Sequence, residues 1–298
     1  MYYLLKSGII MKKNLAKLPL AASMAVFGTI GIFVHYINMP SALIAFVRGA
    51  LGALFLIATA YISKKKLSGK AIRKNLFILI ASGACIGVNW ILLFESYRYT
   101  TVAAATLCYY FAPIFVIIAS PVVLKEKLDM KKICCVGTAI LGMVFVSGVI
   151  TGGFTGIRGI LLALGAALFY ATVILFNKKA HDIAPTDMTA IQLAAAAAVV
   201  LPYSLICEDI GSVNFAPLPV ILLLIVGIVH TGIAYVLYFG SVNKLPSGTI
   251  AVFSYIDPIL SVILSALILK EAMTVYTVIG AVLILGATFV SEFEFKKK

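Results

Sequence analysis

The sequence predicts an all-α integral membrane protein of ten transmembrane helices, arranged as two inverted five-helix repeats. Three observations carry that prediction. Of 298 residues, 62% are hydrophobic and 12% charged, against about 45–50% and about 25% in soluble globular chains. The apolar residues fall in runs close to the roughly 20 that a helix needs to cross the hydrocarbon of a bilayer. One constellation of Tyr, Pro, Lys and Glu also occurs twice along the chain. The first observation alone excludes a water-soluble enzyme or a nucleic-acid-binding domain.

Taken in order, the runs are 18–37, 42–62, 76–96, 102–124, 133–150, 159–176, 188–207, 218–242, 248–269 and 275–291. Each is read as a helix because a chain crossing hydrocarbon must satisfy its own backbone hydrogen bonds. The first run follows Lys12, Lys13 and Lys17, as the apolar part of a signal peptide would. No secreted domain follows it, so it reads as the first span, and Met11 offers a second possible start. The seventh run is the weakest, because it contains Gln192 and Pro202. It is kept because the polar stretches on either side would otherwise fall on the wrong sides of the membrane.

The charge balance supports the same arrangement. The chain has 24 Lys and Arg against 11 Asp and Glu, a formal charge of +13. With the N-terminus inside, Lys6 to Lys17, Lys64 to Lys74, Lys125 to Lys132, Lys178, Lys179, Lys244 and Lys296 to Lys298 share the cytoplasmic side. Only Arg98, Arg158 and Lys270 fall opposite, and Arg48 lies within a span. Short cytoplasmic loops carry the excess of Lys and Arg, so both termini are expected in the cytoplasm and the protein in the cell membrane. The excess charge is a topology signal and requires no nucleic acid. Cys85, Cys108, Cys134, Cys135 and Cys207 show no CxxC or Cys/His ligand spacing. They read as small core residues, without a disulfide frame or metal site.

The repeat lies in the second half of each five-span unit. At one offset Ser96 meets Ser241, Trp90 meets Tyr235, Tyr110 meets Tyr255 and Pro113 meets Pro258. At the same offset Leu124-Lys125-Glu126 meets Leu269-Lys270-Glu271. One residue of slippage then brings Ile140-Leu141-Gly142 onto Ile284-Leu285-Gly286. Five spans per half is an odd number, so the second half runs inverted. The halves are placed at 1–150 and 151–298.

With these motifs the chain resembles the EamA family of the drug/metabolite transporter superfamily. The resemblance covers nearly the whole chain and includes Asp257, an acidic residue before the second proline; Ala112 fills that place in the first half. It implies a secondary transporter, commonly an exporter of amino acids or other small metabolites, with a central cavity between the halves. Proton-coupled or facilitative exchange by alternating access is part of what it implies.

Charges at mid-membrane are costly and usually face an internal space or a partner. Asp257, beside Pro258, reads as a proton acceptor or an anchor for a substrate ammonium; an ion pair with Arg48 that pins two helices is the competing account. Arg48 suits a substrate carboxylate through its fork of donors, and snorkelling toward an interface is its alternative. Glu95 is expected to pair with Arg98 at an interface. His230 could shuttle protons or simply hydrogen-bond a neighbouring helix. Asn89, Trp90, Tyr110, Tyr235 and Tyr255, with Tyr109, Tyr170 and Gln192, place polar and aromatic groups inside spans. Together they suggest a polar-lined cavity suited to planar or cationic substrates. Gly83 with Gly87, Gly28 with Gly31, Ala194 to Ala198, and Gly280 with Gly286 are read as points of close helix approach.

No Walker loop, no HExxH and no acidic pair spaced for a metal occurs, so neither ATP hydrolysis nor a cofactor is expected. Charge rings or a repeated filter loop, expected of a channel, are not seen. The alternatives are a multidrug, cationic-metabolite or lipid-linked-substrate transporter of the same superfamily and, more distantly, a membrane-embedded enzyme. A small molecule and the bilayer are the only partners the reading requires; an oligomer is not.

Overall fold

The computed structural model describes residues 2–64, 67–125, 129–147, 150, 156–213, 215–242, 244–245 and 247–292. Glu126 of the first Leu-Lys-Glu motif, Lys65, Lys66, Lys127 and the lysine tail lie outside the described residues. The order is α1 (Tyr2–Ile37), α2 (Ser41–Ile62), α3 (Gly69–Ser96), α4 (Val102–Tyr109), α5 (Ala112–Val123) and α6 (Met130–Val146). It continues with α7 (Ile157–Lys179), α8 (Pro185–Cys207), α9 (Pro217–Gly227), a π-helical segment (Ile228–Ile233) and α10 (Ala234–Val242). Last come α11 (Ser247–Ser254), α12 (Ile256–Ile268) and α13 (Val275–Glu292).

Among the described residues seven helical stretches are long and apolar enough to cross a membrane: Lys17–Ile37, Ser41–Ile62, Gly69–Ser96, Val102–Val123, Ile157–Lys179, Pro185–Cys207 and Pro217–Ser241. Val252–Ile268 and Val275–Ser291 are shorter apolar helices, and α6 covers the fifth expected run with 17 residues. The third run starts earlier than its apolar residues do. The Ser68 side chain accepts from the Ala71 amide at 3.4 Å and caps the helix inside the basic segment.

The fourth and ninth runs are each broken once. A proline has no N–H to offer the carbonyl four residues before it. That carbonyl belongs to Tyr109 for Pro113 and to Ser254 for Pro258, and these are the last residues of α4 and α11. The eighth run is interrupted without a proline, by the π segment between Gly227 and Ala234.

The main helix contacts cross between the two halves of the chain. α3 lies against α7 and α8, α2 against α8, α6 against α13, and α1 against α9, α10 and α12. Exchange of equivalent spans turns this pattern into itself. The α3–α7 contact maps onto α1 with the eighth run, the α3–α8 contact onto α2 with the eighth run, and α1–α12 onto α5–α7. The core follows these contacts: Ile37, Ile44, Phe94, Leu193 and Val226 form one cluster, and Leu107, Cys108, Ala163 and Ile284 another.

Small residues set the spacing. A Cβ on Gly83 would lie 2.5 Å from the Gln192 carbonyl oxygen, and one on Gly87 2.5 Å from Val200 Cγ2, so α3 meets α8 backbone to backbone. Gly280 meets the Gly142 carbonyl in the same way, at 2.6 Å. Gly286 does not belong with them, because among the described residues nothing lies within 4 Å of where its Cβ would be. In the seventh run, the Gln192 amide donates to Ser82 Oγ at 2.7 Å and to Asn177 Oδ1 at 2.6 Å. Its polarity is thereby satisfied by α3 and α7. All five cysteines are free; Cys108 and Cys135 are buried as expected, whereas Cys134 and Cys207 lie on the surface of the protein.

Candidate functional site

Three clusters hold the polar residues expected inside the spans. The first is built on Arg48. Asn38, in the left-handed region at φ 43°, ends α1, and Pro40 precedes α2. Arg48 then falls two turns into α2 and is 7% exposed. Its guanidinium carbon stands 4.1 Å from the centre of the Trp90 ring on α3 and 5.9 Å from that of Phe94. Its Nε donates to Thr231 Oγ1 at 2.9 Å. Thr231 is fully buried in the π segment and donates its own hydroxyl to the Val226 carbonyl, five residues back, at 3.1 Å. Among the described residues no protein group bonds the Arg48 Nη atoms.

The second cluster holds Asp257 on the first turn of α12. The Tyr110 hydroxyl, at the break between α4 and α5, donates to Asp257 Oδ2 at 2.7 Å. Helix α1 passes so close that a Cβ on Gly28 would lie 2.6 Å from the Asp257 carbonyl oxygen. Asp257 and Tyr110 are half-buried. The expected alternative, a direct Asp257–Arg48 ion pair, is not found; among the described residues the ion pairs are Lys74–Asp182 and Arg98–Glu95. The two charges rest on different partners.

The third cluster is aromatic. The Tyr109 hydroxyl donates to Asn89 Oδ1 at 3.5 Å, and the Asn89 amide donates to the Ala166 carbonyl at 2.6 Å. Tyr109 lies 5.4 Å from Tyr170 and 6.3 Å from Tyr110, ring centre to ring centre. Tyr235 packs on Phe27 and Phe239, and Tyr255 sits edge-on to Phe289. Asn89 and Trp90 are themselves buried; they hold Tyr109 and Arg48 respectively. His230 does not reach Asp257. Its Nε2 lies 2.8 Å from Thr29 Oγ1 on α1, and its ring packs against Phe33.

Sequence reasoning missed Thr231 and Thr29, which carry no pattern of their own, missed Glu208, and named Glu271 only as part of the repeated Leu-Lys-Glu motif; both carboxylates lie at the face where α1 ends. Glu208 accepts from the Ala42 and Leu43 amides at 2.9 and 3.1 Å, the N-terminus of α2. Glu271 accepts from the Val102 and Ala103 amides at 2.8 and 3.2 Å, the N-terminus of α4. Free N-terminal amides and the helix dipole both favour a carboxylate there. In each case the carboxylate comes from the later half of the chain and the helix from the earlier. Glu95 completes this face: it accepts from Ser41 Oγ at 2.8 Å and pairs with Arg98, whose Nη2 donates to the Met39 carbonyl.

Comparison with known proteins then gives a consistent picture. The model of the EamA-like transporter family matches twice, over residues 15–148 and 157–293. The uncharacterized transporter YxxF of Bacillus subtilis (strain 168) is 29% identical over 280 residues, covering 92% of this chain and 88% of that one. The uncharacterized transporter YoaV of the same organism is 26% identical over 266 residues, 88% of this chain and 90% of its own. A probable amino-acid metabolite efflux pump of Salmonella typhimurium is 25% identical over 185 residues, 58% of this chain and 62% of its own. A crystal structure of another protein shares the fold, with a TM-score of 0.65 at 19% identity, covering 93% of this chain and 96% of that one.

Proposed function

Because the chain belongs to the EamA-like transporter family, a family of multi-pass membrane transporters and not of enzymes, we propose that it carries small zwitterionic metabolites, amino acids first among them, out of the cell. The observation that carries this reading is the separation of Arg48 from Asp257. Each charge is fixed by a neutral partner, Thr231 and Tyr110, and each keeps hydrogen-bonding capacity that no described protein group uses. A buried pair meant only to pin helices would be joined directly, since an unpaired charge in hydrocarbon is costly. A carboxylate bound on Arg48 and an ammonium, or a proton, on Asp257 would complete both. The Salmonella typhimurium relative is named a probable amino-acid metabolite efflux pump, which supports the amino-acid reading.

In this reading the halves 1–150 and 151–298 are inverted five-span repeats, ten spans in all, with both termini in the cytoplasm of a cell membrane. The repeated breaks at Tyr110 and Tyr255 and the exchange symmetry of the helix contacts support it. The halves rock about a central cavity lined by Tyr109, Tyr110, Tyr235 and Tyr255. Glu208 and Glu271 each cap a helix of the earlier half from the later half, and in this reading export requires those caps to separate. A second reading, a cationic substrate without a carboxylate, is favoured by the tyrosines grouped beside Asp257.

Counterflow in proteoliposomes, loaded with single aromatic, neutral or cationic amino acids at two pH values, tests the proposal. Exchange confined to zwitterionic amino acids is expected. No exchange across the panel by folded protein would overturn it.

A further inference from the structure

We propose that Thr231 is the positioning residue for Arg48, and that the π segment exists in the eighth span to place it. The bonding at Thr231 admits one arrangement of hydrogens. A guanidinium only donates, so Thr231 Oγ1 accepts from Arg48 Nε, and its own hydrogen goes to the Val226 carbonyl. In a regular α-helix that hydroxyl would turn back to the carbonyl three or four residues earlier. The wider π turn directs it five back and presents the oxygen to α2. Such single π turns are often found at functional sites.

The contacts around the threonine fit the role. A Cβ on Gly52 of α2 would collide with Thr231 Cγ2, and one on Gly232 would lie 2.6 Å from the Phe55 ring. The π segment therefore sits directly on α2, one turn beyond Arg48. With Nε occupied by Thr231 and one face of the guanidinium covered by Trp90, only the Nη1–Nη2 edge remains for a ligand. Carboxylates can bind a guanidinium side-on, through Nε and Nη, or end-on, through both Nη atoms; Thr231 closes the first mode and leaves the second. This specificity rests on the reading of Arg48 as the carboxylate-binding group, whereas the positioning itself does not.

The protein supplies its own reporter, because Trp90 is the only tryptophan in the chain and lies under the Arg48 guanidinium. Trp90 fluorescence of the purified full-length protein is compared for wild type, Thr231→Ser and Thr231→Val. The serine variant keeps the hydroxyl and is expected to keep the wild-type emission. The valine variant, similar in shape but without the hydroxyl, is expected to change it. In an Arg48→Lys background, which has no Nε–H to position, valine should add no further change. Wild-type emission from Thr231→Val, or an equal change from valine in both backgrounds, overturns the proposal.

Titration with L-leucine and with L-leucinamide, which lacks the carboxylate, then separates the two claims. Half-saturation by L-leucine is expected to weaken about tenfold in Thr231→Val, the loss of one hydrogen bond to a charged group, and to recover in Thr231→Ser. Equal responses to both probes would sink the carboxylate reading, while the unliganded emission would still decide the role of Thr231.

Discussion

The Tyr110 hydroxyl donates to Asp257 Oδ2 at 2.7 Å, so the helix break of the first half is tied to the acid beside the helix break of the second. Tyr255, the counterpart of Tyr110, stands two residues before that acid. The two breaks thus meet at the only carboxylate lying within the central part of the described spans.

This tie makes Asp257 sensitive to its partner. Tyr110→Phe removes one hydrogen bond to a charged group and should raise the apparent KM for transport about tenfold. Asp257→Asn keeps an acceptor for Tyr110 but loses the charge; it should abolish transport and its pH dependence while leaving the protein folded. Initial-rate uptake against pH, beside size-exclusion profiles, checks both. Unchanged transport in Asp257→Asn would remove it from the mechanism.

Glu271 should act as a latch. Glu271→Ala leaves the Val102 and Ala103 amides without their acceptor and should cost about 1–2 kcal/mol, as the loss of a helix cap does. Opening of that face should also speed labelling of Cys108 on α4, which is fully buried. The measurement is the rate of maleimide labelling in a chain whose other cysteines are serine. An unaltered rate would show that the cap does not hold the face closed.

The glycines of α3 and α13 should behave in opposite ways. Gly83→Val drives its side chain into the Gln192 backbone and should destabilise by about 1–3 kcal/mol through overpacking. Gly286→Ala meets open space and should stabilise by about 0.5–1 kcal/mol through the lower backbone entropy of the unfolded chain. Thermal unfolding in detergent, followed by circular dichroism, distinguishes them by the sign of the Tm change.

Lys74, ahead of the apolar run in α3, and Asp182, in the loop after α7, form an ion pair at 2.9 Å. The Lys74 hydrogen bond, then its charge, hold the Asp182 carboxyl below the usual carboxylate range. A group lowered in this way stabilises the fold above its unfolded value, and that contribution is lost as pH falls through the folded one. Both side chains are exposed, so screening leaves the pair little weight. Asp182→Asn should leave the neutral-pH Tm unchanged, and a clear drop would assign the pair a structural role it does not show.

Much of this architecture is legible in the chain because hydrocarbon enforces simple rules. Apolar length marked the helices, and the repeated prolines stand where the fourth and ninth runs break, since Pro113 and Pro258 offer no N–H to the carbonyls of Tyr109 and Ser254. Gly83 and Gly87 were legible as contact points for the same reason, whereas Gly286 matched the pattern but has no described atom within 4 Å of where its Cβ would be. The π segment was not legible, because no residue type favours five-residue bonding over four; only the Thr231 and Val226 partners reveal it. The caps by Glu208 and Glu271 were hidden as well. Each joins groups more than 160 residues apart in sequence, and no local pattern connects them. Arg48 and Asp257 were found as charges, but their partners Thr231 and Tyr110 become evident only once the helices cross.

In the proposed mechanism Arg48 and Asp257 grip two opposite charges on one substrate. Counterflow in proteoliposomes with L-leucine, L-leucinamide and 4-methylpentanoate, which lacks the ammonium, tests it most directly. Exchange of L-leucine is expected, with at least about a tenfold loss with either analogue, as removal of one charged contact implies. Exchange of L-leucinamide or 4-methylpentanoate as fast as that of L-leucine would contradict it.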